Sequence, residues 1–247
     1  VQTCALPIFA IKAGKLRGLR EGKTLSFLGI KYADAERFGQ PKPVASWDGI
    51  KNAQVWGACC PSPISESVSF DEIVFPHRYW PANENCQYLN VWTQNLKPAA
   101  KKPVMVWMHG GGFTNGASME GYSYDGRALS EFGDVVVVSV NHRLNVIGTL
   151  DLSAYGAEYA NSRNTGMADL VASLQWVHDN IESFGGDPGQ SRFSSLKQIN
   201  TKTVARLGGA WRLSLEEGTS KAAPVVQDGV MYVTSTKAVY EIGRAHV

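Results

Sequence analysis

The sequence has no apolar run near the roughly 18 residues that a membrane-spanning helix requires. Its longest, VVVVSV, is the length of a single strand. A charge excess is missing too: 24 lysines and arginines against 22 aspartates and glutamates leave a net charge of +2, which gives no basis for a nucleic-acid or membrane-surface binder. Cysteine is scarce, and four in 247 residues are too few for a fold built on disulfides. What remains is an ordinary globular composition, 44% hydrophobic and 19% charged, long enough for one or two domains.

Against that background one stretch stands out, VMVWMHGGGF at residues 104–113. An apolar run this short reads as a buried strand. Gly110, Gly111 and Gly112 follow it, and residues without a Cβ let the backbone bend tightly and turn its N–H groups toward a ligand. Donors placed in this way stabilise the oxyanion of a tetrahedral intermediate. The plainer reading is a glycine-rich turn of the kind found in many α/β proteins.

The rest of the chain supplies the elements around that stretch. Residues 9–30 alternate in short runs broken by glycine, which predicts two or three small antiparallel strands. Residues 31–63 are loop-rich. ENCQYLNVWT alternates like a strand, with Leu89 and Val91 on one face and Tyr88, Asn90 and Trp92 on the other. A short helix is expected near residues 127–132, followed by DVVVVSV, whose β-branched run suits a strand buried on both faces of a parallel sheet. Strand, helix and strand in that order imply a right-handed crossover. Leu170, Leu174, Val177 and Ile181 then mark one face of a helix that covers the sheet and ends at Gly185 and Gly186.

Taken together, FLGIKYA, Arg37-Phe38, WDGIKNA, ENCQYLNVW, PVMVWMHGGGF, YDG, GDVVVVSVNHRLNVIG, QWVHDNI and SFGGDPG resemble the N-terminal part of the type-B carboxylesterases, the family that holds the cholinesterases, over residues 14–189. The resemblance implies an α/β-hydrolase fold and hydrolysis of a small-molecule carboxylic ester through serine, an acidic residue and histidine. It implies that Gly111 and Gly112 donate the oxyanion-hole N–H groups and that His109 shapes their loop. It further implies a disulfide between Cys60 and Cys86 and a buried structural ion pair between Arg37 and Glu84. No cofactor and no metal are implied, and the expected compartment is secreted or periplasmic.

The departure from the family follows GGDPG, where a strand and a G-x-S-x-G nucleophile elbow are due and the chain reads QSRFSSLKQIN. No G-x-S-x-G occurs anywhere, and GYSYD around Ser123 lacks the closing glycine. His77, His142 and His178 all precede the elbow position, whereas such triads run serine, acid, histidine. The expectation is an oxyanion-hole half without its triad and without ester turnover.

Residues 192–240 resemble instead the start of the β-propeller of a PQQ-dependent quinoprotein dehydrogenase, VVQDGVMYV reading as a hairpin about Asp228-Gly229. One blade cannot close a propeller, which takes about four or more. The alternatives to the esterase reading are a non-catalytic cholinesterase-like recognition module and a PQQ-dependent alcohol or sugar dehydrogenase fragment. Both ends resemble translated sequencing adapter, so Cys4 and His246 carry no chemistry. The expected organisation is an adapter-like tail at 1–8, an incomplete α/β-hydrolase lacking the elbow strand at 9–190, an all-β propeller-blade fragment at 191–240 and a second tail at 241–247. Two unrelated gene pieces would meet between Gly189 and Arg192.

Overall fold

A computed structural model describes residues 6–62, 78, 80–187, 225–227, 230–234 and 239–242. The chain divides into two compact units, residues 1–193 and 194–247.

The first unit opens with two hairpins, β1 (Ile8–Ile11) with β2 (Gly14–Arg17) and β3 (Leu19–Glu21) with β4 (Thr24–Lys31). The glycine-broken stretch therefore makes four strands, not two or three. The fourth is long because its TLSFL run is buried throughout. Short strands β5 (Ala33–Asp34), β6 (Lys42–Pro43) and β7 (Ile50–Asn52) punctuate the loop-rich region. The remaining elements are β8 (Tyr88–Thr93), β9 (Val104–Met108), α1 (Arg127–Gly133), β10 (Val136–Val140), α2 (Asn145–Thr149) and α3 (Thr165–Asn180).

Five strands form one mixed sheet in the order β3-β4-β8-β10-β9. β10 runs antiparallel to β8 and parallel to β9, with Val136 opposite Val104 and Val140 opposite Met108. Every residue of β10 is buried, as its valine run predicts. β9 departs from its expectation as a buried strand. Among the described residues it lies at the sheet edge with β10 as its one paired strand, and Met105 and Met108 remain 45% and 36% exposed.

α3 packs Leu170, Val177 and Ile181, the last just past its end, into the core that holds Val136, Val138 and Val140. Leu174, expected on that face, is 42% exposed. The buried face is rotated toward Asp169, Ser173 and Trp176, because the two polar residues find internal partners there. After a 3-10 turn the helix stops at Gly185, whose φ of +76° and nearness to Asn95 O leave no room for a Cβ. Phe9, Phe27 and Phe184 close the core as an aromatic triangle, with centroids 4.9 Å apart for Phe9–Phe184 and 5.2 Å for Phe27–Phe184.

The second unit contains β11 (Val225–Gln227), β12 (Val230–Thr234) and β13 (Val239–Ile242) in one antiparallel sheet. β11 and β12 pair as the VVQDGVMYV pattern predicts, with Gln227 opposite Val230. The Asp228-Gly229 turn, the join at 189–192 and the residues matched at 192–224 lie outside the described residues, as does His77. Among the described residues no helix is long and apolar enough to cross a membrane.

Candidate active site

β9 and β10 run parallel, so their carboxyl ends open on the same rim, where ligands of α/β sheets bind. Two loops leave that rim, residues 109–116 after β9 and residues 141–145 after β10. In the first, Gly111 adopts a φ of +117°, and a Cβ there would fall 2.0 Å from the Asn115 carbonyl oxygen. Gly112 follows at +61° with open space around it. Only glycine satisfies both demands at residue 111, positive φ and close backbone approach. The Gly111 carbonyl accepts from the Thr114 N–H at 3.0 Å and the Asn115 N–H at 3.3 Å, which closes a tight turn. Among the described residues the Gly111 and Gly112 N–H groups have no acceptor.

The second loop holds the first in place. Asn145, in the left-handed region at φ 47°, donates its N–H to the Phe113 carbonyl at 2.7 Å. Its side-chain amide donates to Pro61 O at 2.7 Å and Thr114 O at 3.4 Å. His109 is buried, and its Nδ1 lies 2.8 Å from Gly110 O. A carbonyl only accepts, so Nδ1 carries the proton. His142 stacks on His109 with centroids 5.0 Å apart. Among the described residues His109 Nε2 and both His142 nitrogens are buried without partners. Burial lowers the pKa of both rings; His142 falls to about 3, with the charge of His109 as a second cause.

Each expected accessory pair brings its two residues together, with two corrections. Arg37 and Glu84 make the ion pair, Nε and Nη2 donating to the carboxylate at 2.7 and 2.6 Å. The pair was expected to be buried, but the Arg37 side chain is 67% exposed and that of Glu84 34%. Cys60 and Cys86 are buried neighbours but are free thiols, so the implied bridge is not formed in this structure. A hydrogen bond from Cys86 lowers the Cys60 pKa, and the same interaction raises that of Cys86. Cys60 Sγ also accepts from the Leu144 N–H at 3.2 Å, which ties the cysteine loop to the rim.

Sequence reasoning missed the buried ion pair of this unit. Arg143 donates Nε to Asp169 Oδ2 at 2.8 Å and Nη2 to Oδ1 at 2.7 Å, with both side chains at 1% exposure or less. The pair anchors α3 to the loop after β10. The available signal was a charged residue, Asp169, at helical spacing from Trp176 on the buried face.

Ser123 sits exposed in a 3-10 turn, and among the described residues no histidine nitrogen hydrogen-bonds a serine hydroxyl. No cluster of three or more potential metal ligands occurs among those residues either. A cavity of about 510 Å³ is lined by Lys31, Asp34, Arg37, Glu84 and Arg143 among others, and by none of the glycine-loop residues. The Lys31–Asp34, Arg37–Glu84 and Arg143–Asp169 pairs engage most of its charges, so the glycine loop is the stronger site.

A mixed sheet with a glycine turn at the carboxyl end of a parallel strand places the first unit among the α/β-hydrolase-like esterases. The chain belongs to the carboxylesterase family, whose profile matches residues 5–191. A second profile, the β-propeller domain of glucose/ethanol/alcohol dehydrogenases, matches residues 181–242. The chain is 33% identical to the para-nitrobenzyl esterase of Bacillus subtilis over 240 residues, which is 89% of this chain and 47% of that protein. It is 40% identical to human carboxylesterase 3, over 65% of this chain and 28% of that one. Among solved structures, an esterase from Clostridium hathewayi that can hydrolyse aliphatic aromatic polyesters superposes with a TM-score of 0.72 at 54% identity, covering 75% of this chain and 37% of that one. The chain thus spans less than half the length of the relatives it matches.

Proposed function

We propose that the first unit is the oxyanion-binding half of a carboxylic-ester hydrolase, with a small ester as substrate. The observation that carries the reading is the pair of unengaged N–H groups at Gly111 and Gly112, held at the rim of two parallel strands. As an ester carbonyl becomes tetrahedral its oxygen gains negative charge, and two preset N–H donors stabilise that charge without reorganising. His109 positions the turn through its bond to Gly110 O, and Asn145 fixes the far end. Among the described residues no serine hydroxyl is hydrogen-bonded to His109 or His142 beside this turn, and the reading is an oxyanion hole without turnover.

Purified chain should leave p-nitrophenyl acetate hydrolysis at the background rate. Turnover abolished by a serine-directed phosphonate would reveal an activated serine and sink the reading. The second unit we assign to a quinoprotein propeller fragment, a reading supported by the profile at 181–242 and the three-stranded antiparallel sheet. Domain limits of 9–190 and 191–240 follow from joining the two assignments. A secreted or periplasmic parent is supported by the buried juxtaposition of Cys60 and Cys86, which an oxidising compartment would bridge. A genomic PCR product that runs through the codons for residues 189–192 would establish a natural fusion in place of two joined gene pieces.

A further inference from the structure

One asparagine of this sequence precedes a glycine, Asn115 before Gly116, and the pair lies in the loop that carries the candidate oxyanion donors. In such a dipeptide a side-chain carboxamide meets the next backbone nitrogen with least obstruction, because the following residue has no Cβ.

The fold leaves this pair free to react. Asn115 is exposed, at a bend outside every strand and helix. Among the described residues its carboxamide has no hydrogen-bond partner, and neither does the Gly116 N–H. Its own N–H reaches Gly111 O at 3.3 Å, a long bond that restrains the residue weakly. Buried asparagines are held otherwise. Asn90 Nδ2 donates to the Ser118 and Ser139 hydroxyls at 3.2 and 3.0 Å, while Asn141 accepts from the Ser118 N–H at 2.7 Å and donates to Ala58 O at 3.1 Å. Nor can the glycine be exchanged. Gly116 has a φ of +106°, and a Cβ on it would fall 2.5 Å from Gly110 O and 2.7 Å from His109 Nδ1.

We propose that Asn115 and Gly116 form a self-modification site, with water as co-reactant, which places a negative charge in the oxyanion turn. The Gly116 nitrogen, giving its proton to solvent, attacks Asn115 Cγ. The Cγ–Nδ2 bond breaks, the side-chain nitrogen leaves as ammonia, and a succinimide ring closes. Water then opens the ring at either carbonyl. Cleavage between Cγ and the Gly116 nitrogen leaves aspartate. Cleavage at the main-chain carbonyl leaves isoaspartate, in which the chain runs through Cγ and the former backbone carbonyl becomes a free carboxylate.

Both products set the charge against Gly111. A Cβ there would fall 2.0 Å from Asn115 O, the atom ionised in isoaspartate, and 2.6 Å from Asn115 Oδ1, the atom ionised in aspartate. A fixed anion at that place opposes the oxyanion that the preset N–H donors would stabilise. The conversion stands on the turn's geometry alone; its effect on the oxyanion rests on the esterase reading of this unit.

The test incubates the purified chain in mildly alkaline buffer and follows two quantities together, the mass of the tryptic peptide ending at Arg127 and amide hydrogen exchange in β10. That peptide contains no asparagine besides Asn115, so exchange of NH2 for OH in it reports this site. Carboxyl methylation by an isoaspartate-specific methyltransferase identifies the rearranged product. The expected result is conversion of Asn115 while the β10 amides stay protected and Asn90 and Asn141 keep their amides. Asn115→Gln, which would need a larger ring, should abolish the mass change. The proposal is overturned if Asn115 keeps its amide through an incubation that converts it in urea, since the turn would then protect it. It is also overturned if conversion keeps pace with β10 exchange, which would make the unfolded chain the reactant, or if the Gln variant gains the same mass, which would mean direct hydrolysis. None of these readouts uses ester turnover, so the conversion and the esterase reading stand or fall separately.

Discussion

Replacing Asp169 by alanine strands the Arg143 guanidinium inside the fold. The native carboxylate accepts Nε at 2.8 Å, Nη2 at 2.7 Å, the Arg143 N–H at 3.0 Å and the Gln87 amide at 3.3 Å. After the substitution only Nη1 keeps its partners, the Gly39 and Glu36 carbonyls. With the two side chains at 1% and 0% exposure, water cannot replace what is lost. Breaking one side of a buried pair costs about 3–5 kcal/mol. Against a domain stability of about 5–15 kcal/mol this is about a fifth of the total or more. At about 2–4 °C per kcal/mol for a unit of this size, the melting temperature should fall by about 6–20 °C. Urea unfolding followed by the fluorescence of Trp92 and Trp176, both buried, reads the change. The double variant Arg143→Met/Asp169→Leu removes both charges and should recover at least half of the loss. A single-variant cost below about 1 kcal/mol would refute the reasoning, as would a double variant worse than either single one.

Three further outcomes follow from the rim. Gly111→Ala should cost about 1–3 kcal/mol through its left-handed φ and the approach to Asn115 O, whereas Gly110→Ala, with open space around it, should stay within about 0.5 kcal/mol; equal shifts in thermal melts would contradict the turn geometry. The folded-state pKa of His142 is depressed to about 3 from an unfolded value near 6.5, so the unfolded chain binds the proton first and stability is complete above about pH 6.5. It should decline by about 1.4 kcal/mol per pH unit below that. His142→Phe should flatten the decline in urea titrations between pH 4 and 7, and an unchanged slope would place the loss elsewhere. Mild oxidation should join Cys60 to Cys86, detected as the loss of two hydrogens in the tryptic mass map, and by closing a loop of about 25 residues should add about 3.5 kcal/mol. A bridge to Cys59 instead would show that the two buried thiols cannot approach.

The sheet was legible where periodicity and burial agree. The valines of β10 have one environment, apolar on both faces, and their sequence says so. β9 carries an equally apolar sequence, yet its exposure depends on a neighbour that local composition does not encode. Leu174 misleads for a related reason: a helix face is read from apolar residues alone, while Asp169 and Ser173 are buried because of partners distant in sequence or along the turn. In the candidate site the glycines announced the turn, since no other residue tolerates φ near +117° beside a carbonyl. Asn145 and His142 carried no such signal. Their roles arise from where β10 sets them down against the neighbouring loop.

The aromatic triangle has a consequence for the order of events on the ribosome. Phe9 and Phe27 emerge early, but Phe184, which packs on both, is about 175 residues behind the first of them. At about 5–20 residues per second, translation leaves the two early rings waiting about 8–35 s for their partner. Throughout that interval the nascent hairpins expose an oily face, and chaperone occupancy during synthesis becomes part of how this unit reaches its native state.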